Sequence, residues 1–384
     1  MILLAVIILL LPACWSRKEL NELSIVSAIG IDYVDGEYEV TLQIINPQQV
    51  AGTGKSGGTN EETAVSFFQT KAPTILKAFR RMSTKTPRKI YMSHLQVMAI
   101  GEELAKKGLD KVVDILVREQ KLRPDFYVFV AKDQTAKHIL KLLTPLERIP
   151  ANFLNGTMDT VETVWGSAQT ISMDEMVMQL ADVGRKLTLP GVVVEGSISK
   201  GQSMDNLMKM DSPGQLLITD VAIFKQGKLV GWLNEDESRG YYFTQRNKIN
   251  STVVTTKCSE EGYISTEVYN VKTKIKFNVA RPNPVAYVTV DVEGNVGETG
   301  CQQLNMESLP VIHDIEMKTA QKIKSMVEGA FEKAQRLGAD IFGFESMLQK
   351  RHPKFWKTFQ KKHENPFQHV DMQVKAKVKL NHTG

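Results

Sequence analysis

The chain has 384 residues, 42% of them hydrophobic and 24% charged, with three cysteines and a formal net charge of +5. These are globular values, so a disordered chain is excluded, and the length allows two or three domains with real cores. The basic excess gathers at 71–141 and 350–379 and suits a solvated face or an anionic bilayer surface; no nucleic-acid-binding motif is present.

The first element is an apolar run, Met1 to Leu11, that ends at Leu11-Pro12-Ala13-Cys14 and gives way to the polar stretch Ser16 to Glu22. As a helix it would rise about 17 Å, roughly half of a hydrocarbon core, so it cannot span a bilayer. It reads as an export signal over 1–13 that is removed from the mature protein. Leu-x-Ala-Cys at 11–14 resembles the lipobox of bacterial lipoprotein precursors. That resemblance implies a diacylglyceryl group on Cys14, which becomes the new N-terminus, and two acyl chains are what stable attachment requires.

Residues 14–199 are expected to form a mixed α/β region. Ser24 to Val34 and Glu37 to Asn46 are β-rich runs joined by Asp35-Gly36, a two-residue hairpin signal. Residues 47–60, rich in Gly, Thr and Ser, read as a flexible loop. A strand at Val65 to Gln69 precedes a helix with Pro73 in its first turn and Ile75, Leu76 and Phe79 as its apolar face. Strand Leu95 to Ile100, helices Glu102 to Lys107 and Leu109 to Glu119, and strand Asp125 to Ala131 follow. Asp133 is placed to cap a helix reaching about Leu143. Two weaker, methionine-rich helices fill 145–181, and Leu187 to Ile198 reads as a closing strand. The polar stretch 200–214 is the expected linker.

Residues 215–384 are expected to form an α+β domain. Leu216 to Lys225 and Lys228 to Leu233 make a hairpin across Gln226-Gly227, followed by a short helix from Asn234 to Phe243. Val253 to Thr256, Tyr263 to Ala280 and Pro284 to Val296 read as an antiparallel sheet with Thr273, Ile275, Phe277 and Val279 on one face. A helix over 309–337 carries Ile312, Ile315, Ile323, Val327, Ala330, Phe331 and Ala334 at helical spacing, with Gly338 as its C-cap. A basic helical stretch, Asp340 to Phe359, and a final strand, Val370 to Leu380, close the chain. The fold class expected is α+β and multidomain, the second sheet packed against the long helix.

Few residues offer chemistry. Gly52-Thr53-Gly54-Lys55-Ser56 lacks the first glycine and the following amphipathic helix of a phosphate-binding loop, and reads as a solvated loop. Histidines at 94, 138, 313, 352, 363, 369 and 382 have no metal-ligand spacing. No Gly-x-Ser-x-Gly elbow and no cysteine-nucleophile signature is found. Met173, Met176 and Met178 suit an adaptable core or a soft partner surface. Simple antiparallel register about Arg281-Pro282-Asn283-Pro284 sets Cys301 opposite a residue near Ile264, six residues beyond Cys258. That exceeds disulfide reach unless loops intervene, so two free thiols are expected.

Taken in order, several blocks resemble the Ger(x)C family, the lipoprotein C subunits of nutrient germinant receptors in endospore-forming bacteria. They are Cys14-Trp15-Ser16-Arg17 through Leu23, Ala28-Ile29-Gly30-Ile31-Asp32, Gly101 through Leu109, Leu116-Val117-Arg118-Glu119 and Leu189-Pro190-Gly191-Val192. Ala222-Ile223-Phe224-Lys225, Leu229 through Leu233, Glu237-Ser238-Arg239-Gly240 and Ala339-Asp340-Ile341-Phe342-Gly343-Phe344 continue the set. Lys361-Lys362-His363 stands where the family pattern leads one to expect a tryptophan. The resemblance implies several α+β domains, no catalytic residues and no cofactor. It also implies a place on the outer face of the spore inner membrane beside integral-membrane A and B subunits. It carries over no ligand site. A solute-binding lipoprotein of a transporter is the second reading, and would require two similar α/β lobes and an aromatic-lined cleft. An exported hydrolase would require a nucleophile and base that the sequence does not offer.

Overall fold

The computed structural model describes residues 22–50, 63–119, 122–182, 184–245, 251–258, 262–301 and 304–382. The leader, Cys14 and the Gly52–Ser56 segment lie outside these residues.

Leu23–Val34 (β1) and Glu37–Ile45 (β2) form the hairpin expected from Asp35-Gly36. Both turn residues adopt positive φ, 54° and 82°, as a two-residue hairpin requires. Val65–Ala72 (β3) pairs antiparallel with β2. Lys89–Tyr91 (β4), Val97–Gly101 (β5), Tyr127–Ala131 (β6) and Thr188–Gly196 (β7) add parallel strands. Gly214–Lys225 (β8) and Lys228–Leu233 (β9) then pair antiparallel, completing a nine-stranded sheet of order β3-β2-β1-β5-β6-β7-β8-β9, with β4 beside the start of β1. The continuous apolar runs of β1, β5 and β6 follow from cover on both faces.

One face is covered by Ile75–Met82 (α1), Glu102–Lys107 (α2), Asp110–Arg118 (α3) and, from further along the chain, Met173–Ala181. The other is covered by Ala136–Leu140 (α4) and Pro150–Thr160 (α5), which a π-helical turn extends to Trp165. Met173–Ala181 is α6. In α1 the buried stripe is Ile75, Ala78 and Met82, while Leu76 is 50% exposed, because positions 75, 78 and 82 share one helix face. Asp133 does not cap α4. It has φ 55° and gives its amide to the Glu102 carboxylate, and Thr135 takes the cap by accepting from His138 N at 3.3 Å. Met173 and Met176 are core, whereas Met178 is 60% exposed.

Leu187 to Ile198 does not close the unit, since β8 and β9 extend the same sheet. The 200–214 stretch joins β7 to β8 and is pinned by the buried Asn206. Its amide donates to Leu143 O at 2.7 Å and Gly214 O at 2.9 Å, and its oxygen accepts from Gly214 N at 2.9 Å.

Glu235–Thr244 (α7), started by an Asn234–Glu237 capping box, leads to the second sheet. Thr252–Lys257 (β10), Tyr263–Asn278 (β11) and Val285–Thr299 (β12) are antiparallel, and Asp371–His382 (β13) returns parallel to β12. A bulge between Val268 and Asn270 switches the inward positions of β11 from Ile264, Thr266 and Val268 to Val271, Thr273, Ile275 and Phe277. Leu309–Leu337 (α8) is ~43 Å long and lays Ile315, Ile323, Val327, Ala330, Phe331 and Ala334 on this sheet. Each of the isoleucines, the valine and the phenylalanine, once buried, contributes about 1.5–3 kcal/mol. The basic stretch after Asp340 is split into Phe344–Arg351 (α9) and Pro353–Lys362 (α10) by Pro353, which starts the second helix afresh.

Cys258 and Cys301 form a disulfide, with Cα atoms 6.5 Å apart, where free thiols were expected. The register that set Cys301 near Ile264 is correct, since Ile264 pairs with Thr299 and Gly300 N donates to Tyr263 O. The intervening turn decides the outcome. Lys257 pairs with Tyr263, and Cys258 N donates to Gly262 O, so the β10–β11 hairpin folds Cys258 back to the end of β11 beside Cys301.

Candidate functional site

The ionisable groups that the fold removes from water gather at two nodes. The first lies at the carboxyl ends of β1 and β5, the end of a parallel sheet where ligands commonly bind. Here the chain fills it. Asp32 accepts from Ala136 N at 2.7 Å and Lys137 N at 3.1 Å, closing the first turn of α4. Burial raises its pKa to about 6 against these hydrogen bonds, which favour the carboxylate. A Cβ at residue 101 would overlap Asp32 Oδ1, so only glycine fits between β5 and this carboxyl. Glu102 accepts from Asp133 N and pairs with Lys106 at 3.1 Å.

The second node joins the two sheets. Asp340, fully buried, accepts from Gly343 N at 2.9 Å and Glu345 N at 2.7 Å, starting α9, while its own carbonyl accepts from Lys186 N at 2.8 Å. Burial raises its pKa to about 7. Arg185 donates to Tyr241 Oη at 2.8 Å, and Tyr242 Oη accepts from Gln169 N at 3.1 Å. Burial raises the Tyr242 phenol well above its ordinary value. Beside them the Arg239 guanidinium lies 4.1 Å over the Trp165 ring and donates to Glu235 at 2.8 Å and Val253 O at 3.1 Å. A Cβ at residue 240 would overlap the Met326 carbonyl, so Gly240 sets how closely α7 and α8 approach.

Such an arrangement holds two bodies together. Its carboxylates are engaged by backbone amides and a lysine, and among the described residues no group of three or more His, Cys, Asp or Glu is placed to hold a metal ion. The histidines are scattered, apart from His363 and His369, whose ring centroids lie 3.9 Å apart with the planes tilted by 35°. An open groove also runs along α3, lined by Val113, Val117, Leu180 and Gly227.

Residues 16–194 match the spore germination protein N-terminal domain, and residues 219–384 match the spore germination B3/GerAC-like C-terminal domain. The chain belongs to the Ger(x)C family. Among its Ger(x)C relatives, spore germination protein KC of Bacillus subtilis (strain 168) is 32% identical over all of this chain and 96% of that protein. Spore germination protein B3 of the same organism is 23% identical over 98% and 96%. The crystal structure of the GerBC protein shares the fold, with a TM-score of 0.55 at 21% identity over 92% of this chain and 96% of that one. The stretch between the two matches, 195–218, brackets the 200–214 segment, whereas the sheets divide after β9; sequence domains and sheets therefore part at different points.

The Ger(x)C blocks quoted from the sequence meet at the two nodes. Asp32 touches Gly101, Gly240 abuts α8, and Asp340 reaches the segment before β7. Arg185, Tyr241 and Trp165 were missed by sequence reasoning, because their partners lie 56 or more residues away. Asp340 was legible in principle: an aspartate followed by Gly343 at the start of a helix is an Asx-type cap.

Proposed function

We propose that this chain is the non-enzymatic, lipid-anchored C subunit of a nutrient germinant receptor. In this reading it is held through Cys14 at the outer face of the spore inner membrane and works with integral-membrane A and B subunits, converting nutrient binding by the receptor into the end of dormancy. The observation that carries the reading is the pair of spore germination domains, in order, over 16–194 and 219–384, together with the full-length relative KC. The Cys258–Cys301 disulfide is in keeping with a compartment outside the cytoplasm. The engaged carboxylate of the second node suits a scaffold that fixes the relative orientation of two sheets. No helix among the described residues is long and apolar enough to cross a membrane, and attachment is assigned to Cys14. The two sheets differ in strand number and helix cover, which counts against the paired lobes of a solute receptor.

Replacing Cys14 by Ala tests the reading. Washed at high salt, which removes purely electrostatic contacts, the variant should move from the membrane to the soluble fraction, and spores carrying it should germinate more slowly with nutrient. Unchanged fractionation would overturn the anchor, and unchanged nutrient response in a strain lacking the whole chain would overturn the receptor role.

A further inference from the structure

The second sheet is covered on one face by α8, and its other face is open and basic. On β11, Lys272, Lys274 and Lys276 point outward, and on β13, Lys375, Lys377 and Lys379 do the same; all six are exposed. The register sets Lys272 and Lys377 on either side of Asp291, and Lys274 and Lys375 on either side of Thr289. With strands about 4.8 Å apart and outward residues about 6.8 Å apart, the six ammonium groups fall in two rows ~10 Å apart and ~14 Å long. Asp291 and Glu293 on β12 lie between the rows, and Glu267 and Asp371 lie beyond their ends. Among the described residues none of the six lysines lies within 4.0 Å of a carboxylate. Asp291 and Glu293 oppose Lys272, Lys377 and Lys379 across the strands and offset two of the six charges, and the excess of positive charge that remains is complementary to an anionic surface.

We propose that this lysine face docks the C-terminal half of the chain on anionic phospholipid headgroups, a second contact besides the Cys14 anchor; its place at a membrane rests on the function proposed above. The occupant follows from the chemistry of the face. It is an open sheet surface of exposed lysines, so it selects an extended partner. Its cations are all lysine, point charges suited to a diffuse layer of phosphates, with no arginine to fork onto one carboxylate. Tyr287, 39% exposed, sits between Lys276 and Gln373 and offers the amphipathic ring that settles at headgroup depth. Each near-surface lysine contributes about 1 kcal/mol, or about fivefold in partitioning. A basic face adds electrostatic attraction to the hold that the two acyl chains already give.

The test uses the full chain carrying Cys14→Ala, so that no lipid is attached, and sedimentation with vesicles of phosphatidylcholine alone or with about one-third phosphatidylglycerol. Binding to neutral vesicles reports the apolar leader and is subtracted. The chain should prefer the anionic vesicles, and added salt should abolish the preference. K375Q/K377Q/K379Q should lower anionic partitioning about a hundredfold, while K77Q/R80Q/K111Q, an equal loss of charge on α1 and α3, should stay within about threefold. D291N/E293Q adds net positive charge to the face and should raise partitioning about twentyfold, a gain that misfolding cannot mimic. No preference for anionic vesicles, equal losses in the two triple variants, or capture only by an acidic protein would overturn the lysine face. Each leaves the receptor reading standing, since that reading fails on fractionation and germination instead.

Discussion

Replacing both Cys258 and Cys301 by serine should cost the folded state up to about 4 kcal/mol. The cysteines are 43 residues apart in sequence, and releasing a loop of that length returns roughly 13 cal/mol/K of entropy to the unfolded chain, or about 4 kcal/mol at 25 °C. Because one bond is lost in each case, Cys258→Ser alone should cost about as much as the double variant, to within ~0.5 kcal/mol. With a urea slope near 3 kcal/mol/M, the midpoint should fall by about 1 M. The assay is urea unfolding of parent, single and double variants without reductant, with thiols counted in the denatured parent. Two titratable thiols at 258 and 301 in protein taken from an oxidising compartment would refute the pairing. A double variant as stable as the parent would refute the loop argument.

Asp32 and Asp340 have folded-state pKa values of about 6 and about 7, above the ordinary 3.8, so the folded chain binds protons more tightly than the unfolded one. Their contribution is therefore full below about pH 4 and is lost as pH rises through 6 to 7; the urea midpoint should be higher at pH 5 than at pH 8, and Asp340→Asn should shrink that difference. Asp340→Ala leaves the amides of Gly343 and Glu345 without acceptors and should cost about 3 kcal/mol, read as a lower melting temperature. Gly240→Ala presses a methyl on the Met326 carbonyl, a backbone atom of α8 that cannot swing away, and should cost ~3 kcal/mol in urea unfolding, whereas Gly329→Ala, with only Glu237 Cγ near it at an ordinary contact distance of 3.9 Å, should not destabilise.

Local signals carried most of the elements. Asp35-Gly36 and Gln226-Gly227 fixed their hairpins, the helical spacing from Ile315 to Ala334 defined α8 to the residue, and alternation marked one side of β11. What failed needed information from distant chain. Within the largely exposed 200–214 stretch, no local signal announces that Asn206 is buried and bonded to Leu143 O. The inward parity of β11 changes at a bulge that no residue type announces. The disulfide escaped because register was taken from one hairpin, whereas the geometry depends on two. At the nodes, the blocks around Asp32, Gly240 and Asp340 stood out by family likeness, and the contacts that make them matter appeared only with the third dimension.

The return of β13 beside β12 has a consequence for how the molecule matures. Parallel pairing there requires a crossover through α8, α9 and α10, so the 12 residues of β13 finish a sheet begun 119 residues earlier at Thr252. A chain threading amino end first through an export channel would thus emerge with a competent first sheet and an unfinished second one. Until its tail arrives, the edge of β12 and the apolar stripe of α8 stay unshielded, and a stop codon only slightly early would release a polypeptide rich in native helices yet prone to clump.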